Sequence, residues 1–167
     1  MRKELYNAIK TRLEALCVNA AGEYYTRPDE ADADDELYPR AIKHIDLWNR
    51  NVEFIDQDTP WERPAVFIEF EPIRWNDIVP AVEYRAEANV RLHIVTDWAP
   101  AYKDFAGVGI DLDLPDKIHD VIAGIDGETF KDFQLAESHT NHDHEEIVES
   151  IEVYSFIAIK SAAPKAR

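Results

Sequence analysis

Between residues 81 and 95 the chain alternates with a period of two. Val82, Tyr84, Ala86, Ala88, Val90, Leu92 and Ile94 are separated by Glu83, Arg85, Glu87, Asn89, Arg91 and His93. Successive side chains of an extended backbone point to opposite sides, so this run predicts a long strand with one face buried and one face polar. It exceeds the usual strand of about 5–6 residues. Such a strand either projects past its own sheet, where it invites pairing with another chain, or is absorbed by bends within one subunit.

Other segments supply neighbours for it. Ala65-Val66-Phe67-Ile68-Glu69-Phe70 is entered from Pro64 and left at Pro72. Its near-continuous apolar character predicts a strand buried on both faces, with Glu69 at an edge or an interface. Residues 133–138 read as a strand, and so do 147–159. In the latter Ile147, Ile151, Val153, Ile157 and Ile159 share one parity and Tyr154 and Phe156 the other, so its end is expected to be buried on both sides. Residues 41–55 read as an extended segment, a turn near Asn49-Arg50-Asn51 and a second short strand.

Two stretches have helical spacing. Over residues 2–18, Leu5, Ile9, Leu13 and Leu16 recur at steps of three or four, with Gly22 as the stop. Leu114, Ile118, Val121, Ile122 and Ile125 form the stripe of a helix over 114–125. Asp113 is placed to cap it, Pro115 and Asp116 suit its first turn, and Gly124 and Gly127 end it. Two helices are too few to act as crossovers for a parallel sheet. The expected fold is α+β, a mostly antiparallel β-sheet with two helices packed on one face. With 167 residues and neither repeat nor linker, it is expected to be a single domain over 1–167. It carries an acidic loop at about 26–40 and a frayed tail at 161–167.

Charge narrows the function. Asp and Glu total 34 against 18 Lys and Arg, a formal net charge of −16. Such a surface repels phosphate backbones and anionic membranes, so neither specific nucleic-acid binding nor membrane binding is expected. Two readings remain: the charge keeps the protein soluble, or it meets a basic partner or lines a passage through which DNA slides without sticking. The single cysteine, Cys17, permits no intrachain disulfide and reads as a small buried hydrophobe on the first helix. The amino-terminal residues lack the apolar run of a signal peptide, and no apolar stretch nears the roughly 20 residues that span a bilayer. A cytoplasmic protein is therefore expected.

Catalytic patterns are scarce. Gly107-Val108-Gly109 lacks the remainder of a dinucleotide fingerprint, and no serine sits in a nucleophile elbow. The acids at 29–36 lack the central glycine and terminal glutamate of an EF-hand loop. His139, His142 and His144 are the candidate metal ligands, with Asp143 among them. Along a strand His139 falls on the side opposite to His142 and His144, which argues against a formed site. No catalytic residue, cofactor or resident metal is expected. Trp48, Trp61, Trp75 and Trp98 all fall in or beside predicted loops. Core anchoring is the ordinary role for such residues, and together with Glu69 they are the candidate interface residues.

The order of segments resembles that of the tail-terminator and tail-completion (minor tail) proteins of long-tailed bacteriophages and prophages. The resemblance rests on His44-Ile45-Asp46-Leu47-Trp48-Asn49, Pro64 to Phe70, Leu92-His93-Ile94-Val95-Thr96, the helix over 114–125 and the final strand over 147–159. It implies a non-enzymatic virion structural protein, a small α+β subunit that closes into a ring, typically a hexamer. The ring would cap the tail tube, halt its growth and present a surface to the head or neck. The implied partners are further copies of itself, the tail tube protein and a head-completion or neck protein. The implied location is the host cytoplasm during assembly and then the virion tail. A non-viral adaptor domain and a metal-binding protein built on residues 139–144 are the alternatives.

Overall fold

A computed structural model of the chain describes residues 1–31, 36–49, 61–97, 113–141 and 147–162. Among these, two helices and eight strands follow the order α1 (Arg2–Glu14), β1 (Leu16–Val18), β2 (Tyr24–Thr26), β3 (His44–Leu47), β4 (Ala65–Phe70), β5 (Asn76–Val79), β6 (Glu83–Asp97), α2 (Leu114–Ile122), β7 (Phe130–Asn141) and β8 (Ile147–Ser161). The fold is α+β and mostly antiparallel. β6 and β8 pair antiparallel along their whole length, from Glu83 opposite Ser161 to Asp97 opposite Ile147. β7 continues the sheet beyond β8, and β4 followed by β3 continues it beyond β6. The β3–β4 pair is parallel. β5 folds back on β6 from the β4 side.

One face of this sheet holds the main core. Val66, Ile68, Val90, Leu92, Ile94, Tyr154, Phe156 and Ala158 project there and meet Leu5, Ile9 and Leu13 of α1 and Leu114, Ile118 and Ile122 of α2. Both helices therefore lie on the same side, as the sequence predicts. Each presents an apolar stripe at three- and four-residue spacing, because those positions stack along one side of a 3.6-residue turn. No helix among the described residues is long and apolar enough to cross a membrane.

The first helix is shorter than its pattern. It ends at Glu14, and Leu16 to Val18 leave it as β1, paired with Tyr24–Thr26 in a small separate sheet. Leu16 continues the helical spacing, which conceals the change. The reason lies downstream: Asn19 Oδ1 accepts the backbone N–H groups of Ala21 and Glu23, each at 2.9 Å, and Gly22 takes φ +81°. That is turn chemistry, so Gly22 serves a hairpin rather than a helix stop. Cys17 is buried as expected, but on β1, and burial pushes its thiol pKa up.

Two other expectations change. β6 keeps one buried and one polar face only over its first half; from Leu92 to Thr96 both faces are buried. On β8 the fully buried row is Tyr154, Phe156 and Ala158, while Ile151, Ile157 and Ile159 are half-buried on the opposite face. The isoleucine row is therefore the outer one. The second short strand expected within 41–55 lies largely outside the described residues, and the extended segment before it is β3.

α1 also fastens the entry to β7. The Glu4 carboxylate accepts the N–H of Glu128 at 2.6 Å and of Thr129 at 3.2 Å, together with the Thr129 hydroxyl. Gly127 sits beneath it, where an added Cβ would run into the Glu4 carboxylate and the Phe130 ring.

Candidate functional site

The face of the sheet away from the helices carries a second, smaller cluster. Ala65 and Phe67 of β4, Val95 of β6 and Ile147 of β8 are buried there, with Trp48 and Trp61 packed against them. Trp61 meets Phe67 edge-on with centroids 4.9 Å apart, and His44 stacks on Trp61 at 6.4 Å. The parallel β3–β4 register puts His44 beside Ala65 and Asp46 beside Phe67, so the β3 edge feeds this face.

His93 stands at the centre of this face. The alternation that makes β6 a strand places His93 among the residues pointing away from the helices, yet it is only 4% exposed. Its Nδ1 lies 2.6 Å from Glu149 Oε1 on β8, and its Nε2 lies 2.9 Å from Glu69 Oε2 on β4. Trp48 lies flat over the ring, with centroids 3.8 Å apart and planes 5° from parallel. Asn141 donates to Glu149 Oε2 at 3.0 Å, and Arg91 contacts Glu71 at 2.6 Å and Glu69 at 4.0 Å. Each ring nitrogen thus faces a carboxylate oxygen, and low polarity makes such a bridge stiff when complete. Both ring nitrogens are engaged and Trp48 covers one ring face. The arrangement ties β4, β6 and β8 together, with Trp48, just past the end of β3, over the ring.

A second feature lies at one end of the sheet. Residues 76–82, Asn-Asp-Ile-Val-Pro-Ala-Val, are all exposed. Ile78, Val79 and Val82 are 52%, 44% and 51% exposed. A turn closes this β5–β6 hairpin, with Val82 N–H donating to Val79 O at 2.9 Å and Ala81 at φ +60°. Exposed apolar residues occur singly on most proteins, whereas these lie in one consecutive run. Arg74, Arg85 and Lys160 stand around it, and Lys160 also lies over the Trp75 ring at 6.0 Å.

Of the candidate interface residues, Trp48, Trp61 and Trp75 are half-buried, the first two on the outer cluster and Trp75 against the main core. Glu69 is the partner of His93 on the outer face. Trp98 lies outside the described residues, as do His142 and His144. His139 is exposed on β7, with Nε2 3.0 Å from Glu137 Oε2. Among the described residues no group of three or more His, Cys, Asp and Glu is placed to hold a metal ion. The sequence reading missed both principal features. His93 was legible only as a polar-face residue, because its partners come from strands distant in sequence. The run Ile78-Val79-Pro80-Ala81-Val82 is visible as a string, but apolar strings are ordinarily buried and only the fold exposes this one. Set against known protein families and against curated proteins, the chain matches none.

Proposed function

We propose that the protein is an assembly subunit that works by binding and not by turnover, and specifically a tail-terminator or tail-completion subunit of a long-tailed phage or prophage. The observation that carries the binding role is the exposed apolar hairpin at residues 76–82 on a chain of net charge −16. Apolar surface of this kind gains free energy by leaving water, roughly 25 cal/mol for each Å² covered. The half-buried Ile151, Ile157 and Ile159 on the face away from α1 and α2 support the same reading. So does the His93 trio, whose engaged nitrogens serve cohesion instead of chemistry.

The terminator role joins these features to the resemblance in segment order. Copies would close into a ring through unlike surfaces, since a heterologous contact that closes by rotation generates one. The ring would cap the tail tube and offer its other side to a head-completion or neck protein. Its acidic surface would let DNA pass without adhering. The protein would gather in the host cytoplasm and end in the virion tail.

The test is capping. Tail tube protein is polymerised in the presence of the purified chain, and tube lengths are measured by electron microscopy. Tubes that stop short with extra density at one end are expected, and light scattering of the free chain reports whether the ring forms without the tube. Unchanged tube lengths with no bound chain would remove the terminator role and leave the adaptor reading.

A further inference from the structure

We infer that the β5–β6 hairpin of one copy docks against the free margin of β7 on a second copy, continuing the sheet from subunit to subunit. This rests on the ring reading and names its contact.

The sheet ends in two unlike margins. On one side β5 is hydrogen-bonded to β6, and no described strand pairs with its other side. On the opposite side β7 is paired with β8 alone among the described strands. A strand with one unpaired side presents a row of N–H and C=O groups ready for another strand. β5 is four residues long and exposed throughout. β7 is exposed at every position from Gln134 to Thr140. Its pairing with β8 shifts register between Lys131 and Gln134 and again between Leu135 and Glu137, then runs regularly from Glu137 to Asn141. Those irregularities would defeat a long added strand. They leave a regular stretch that suits one as short as β5.

Side chains and charge agree with this pairing. Ile78 and Val79 need an apolar neighbour, and Leu135, 38% exposed, is the large exposed hydrophobic residue of β7, two positions before the regular stretch. Arg74, Arg85 and Lys160 stand near the hairpin together with Asp77 and Glu83, the last paired with Arg85 at 3.2 Å, and β7 carries exposed Lys131 beside Asp132 and Glu137. On a chain of net charge −16, two copies repel through most of their surfaces. The hairpin end carries a slight excess of cations and the β7 margin a slight excess of carboxylates, so these two ends of identical chains repel least. Because the two surfaces differ and lie on opposite sides of the sheet, a pair of copies is left with one unused surface of each kind. Such a contact propagates until it closes.

The experiment pairs two single-cysteine variants, Asp77→Cys on β5 and Thr140→Cys on β7. Cys17 is buried and stays unreactive, and the unsubstituted chain is the control for that. Each variant alone and an equal mixture are treated with a short bis-maleimide, and products are resolved by mass. The expected result is a mixed dimer formed in clear excess over either homodimer. In parallel, Val79→Glu, a surface change that leaves the core untouched, is expected to weaken self-association at least about tenfold in light scattering. A dominant Asp77→Cys homodimer would overturn the inference in favour of two hairpins meeting each other. So would the lack of any product, or unchanged association of Val79→Glu. Short, capped tubes together with any of those results would leave the ring reading standing and sink only this contact.

Discussion

Two glutamates respond to the fold in opposite directions. Glu4 accepts from the Thr129 hydroxyl and from two backbone N–H groups, and these bonds, the Thr129 hydroxyl foremost, hold its pKa below the usual carboxylate value against the effect of burial. Its contribution to stability is present above that usual value and is lost as pH falls through the lowered one. Glu4→Gln should therefore lower the urea midpoint at neutral pH, and the deficit should shrink in acid. Glu152 lies on the helix side of β8, 8% exposed, and burial pushes its pKa up although the Ser138 hydroxyl donates to it at 2.5 Å. A raised carboxyl favours the fold below its usual value and costs stability as pH rises through the raised one. Glu152→Gln should raise the urea midpoint at neutral pH and change little in acid. Gly127→Ala, which drives a methyl group into Glu4 and the buried Phe130 ring, should cost about 1–3 kcal/mol by denaturant unfolding. Neither glutamate was legible in the sequence. Both depend on partners brought close by the fold, Thr129 to Glu4 and Ser138 to Glu152, while Gly127 read simply as a helix stop.

At the scale of elements, local pattern carried as far as a single face could decide the matter. The β6 alternation over its first half and the stripes of α1 and α2 identify their buried sides because each packs on one face there. β8 misleads for the same reason: its isoleucines mark a half-buried outer row, while Tyr154 and Phe156, with their larger side chains, fill the core beneath the helices. β1 and β2 were missed because Leu16 keeps helical spacing and only the Asn19–Gly22 turn reveals the break. The outer cluster has its own test. His93→Leu should cost about 3–5 kcal/mol, because Glu149 stays buried without its imidazole partner. His93→Leu combined with Glu149→Leu should recover a large part of that loss. Recovery in urea unfolding would confirm that the price of the single change is the stranded carboxylate. Equal loss in both variants would assign it to the Trp48 stack instead.

At the scale of the whole molecule, net charge and apolar surface oppose each other. The charge of −16 separates copies over distances that salt screens, with a Debye length of about 10 Å at 0.1 M, while hairpin burial is short-range. Raising sodium chloride from 0.05 to about 0.5 M should therefore strengthen self-association in light scattering, the reverse of a contact held by ion pairs alone. The composition made the acidity plain, and with it the classes of partner to set aside. The surface that opposes it stayed hidden, since exposure is a property of the assembled sheet.

The place of β8 has a consequence for how the chain comes into being. Residues 147–161 form an interior strand, flanked by β6 and β7, yet they follow every other described element in the sequence. A ribosome therefore delivers both helices and the strands β3 to β7 before the one that joins β7 to the rest. Until then the hydrogen-bonding edges that β6 and β7 turn toward β8 stand open, and the nascent protein resembles a book without its spine. Contacts so distant along the chain form slowly, in milliseconds to seconds for comparable β-rich domains. A chain stopped at residue 146 keeps both helices and seven of the eight described strands, and it should nonetheless show no cooperative unfolding transition and fall to chaperones or proteases.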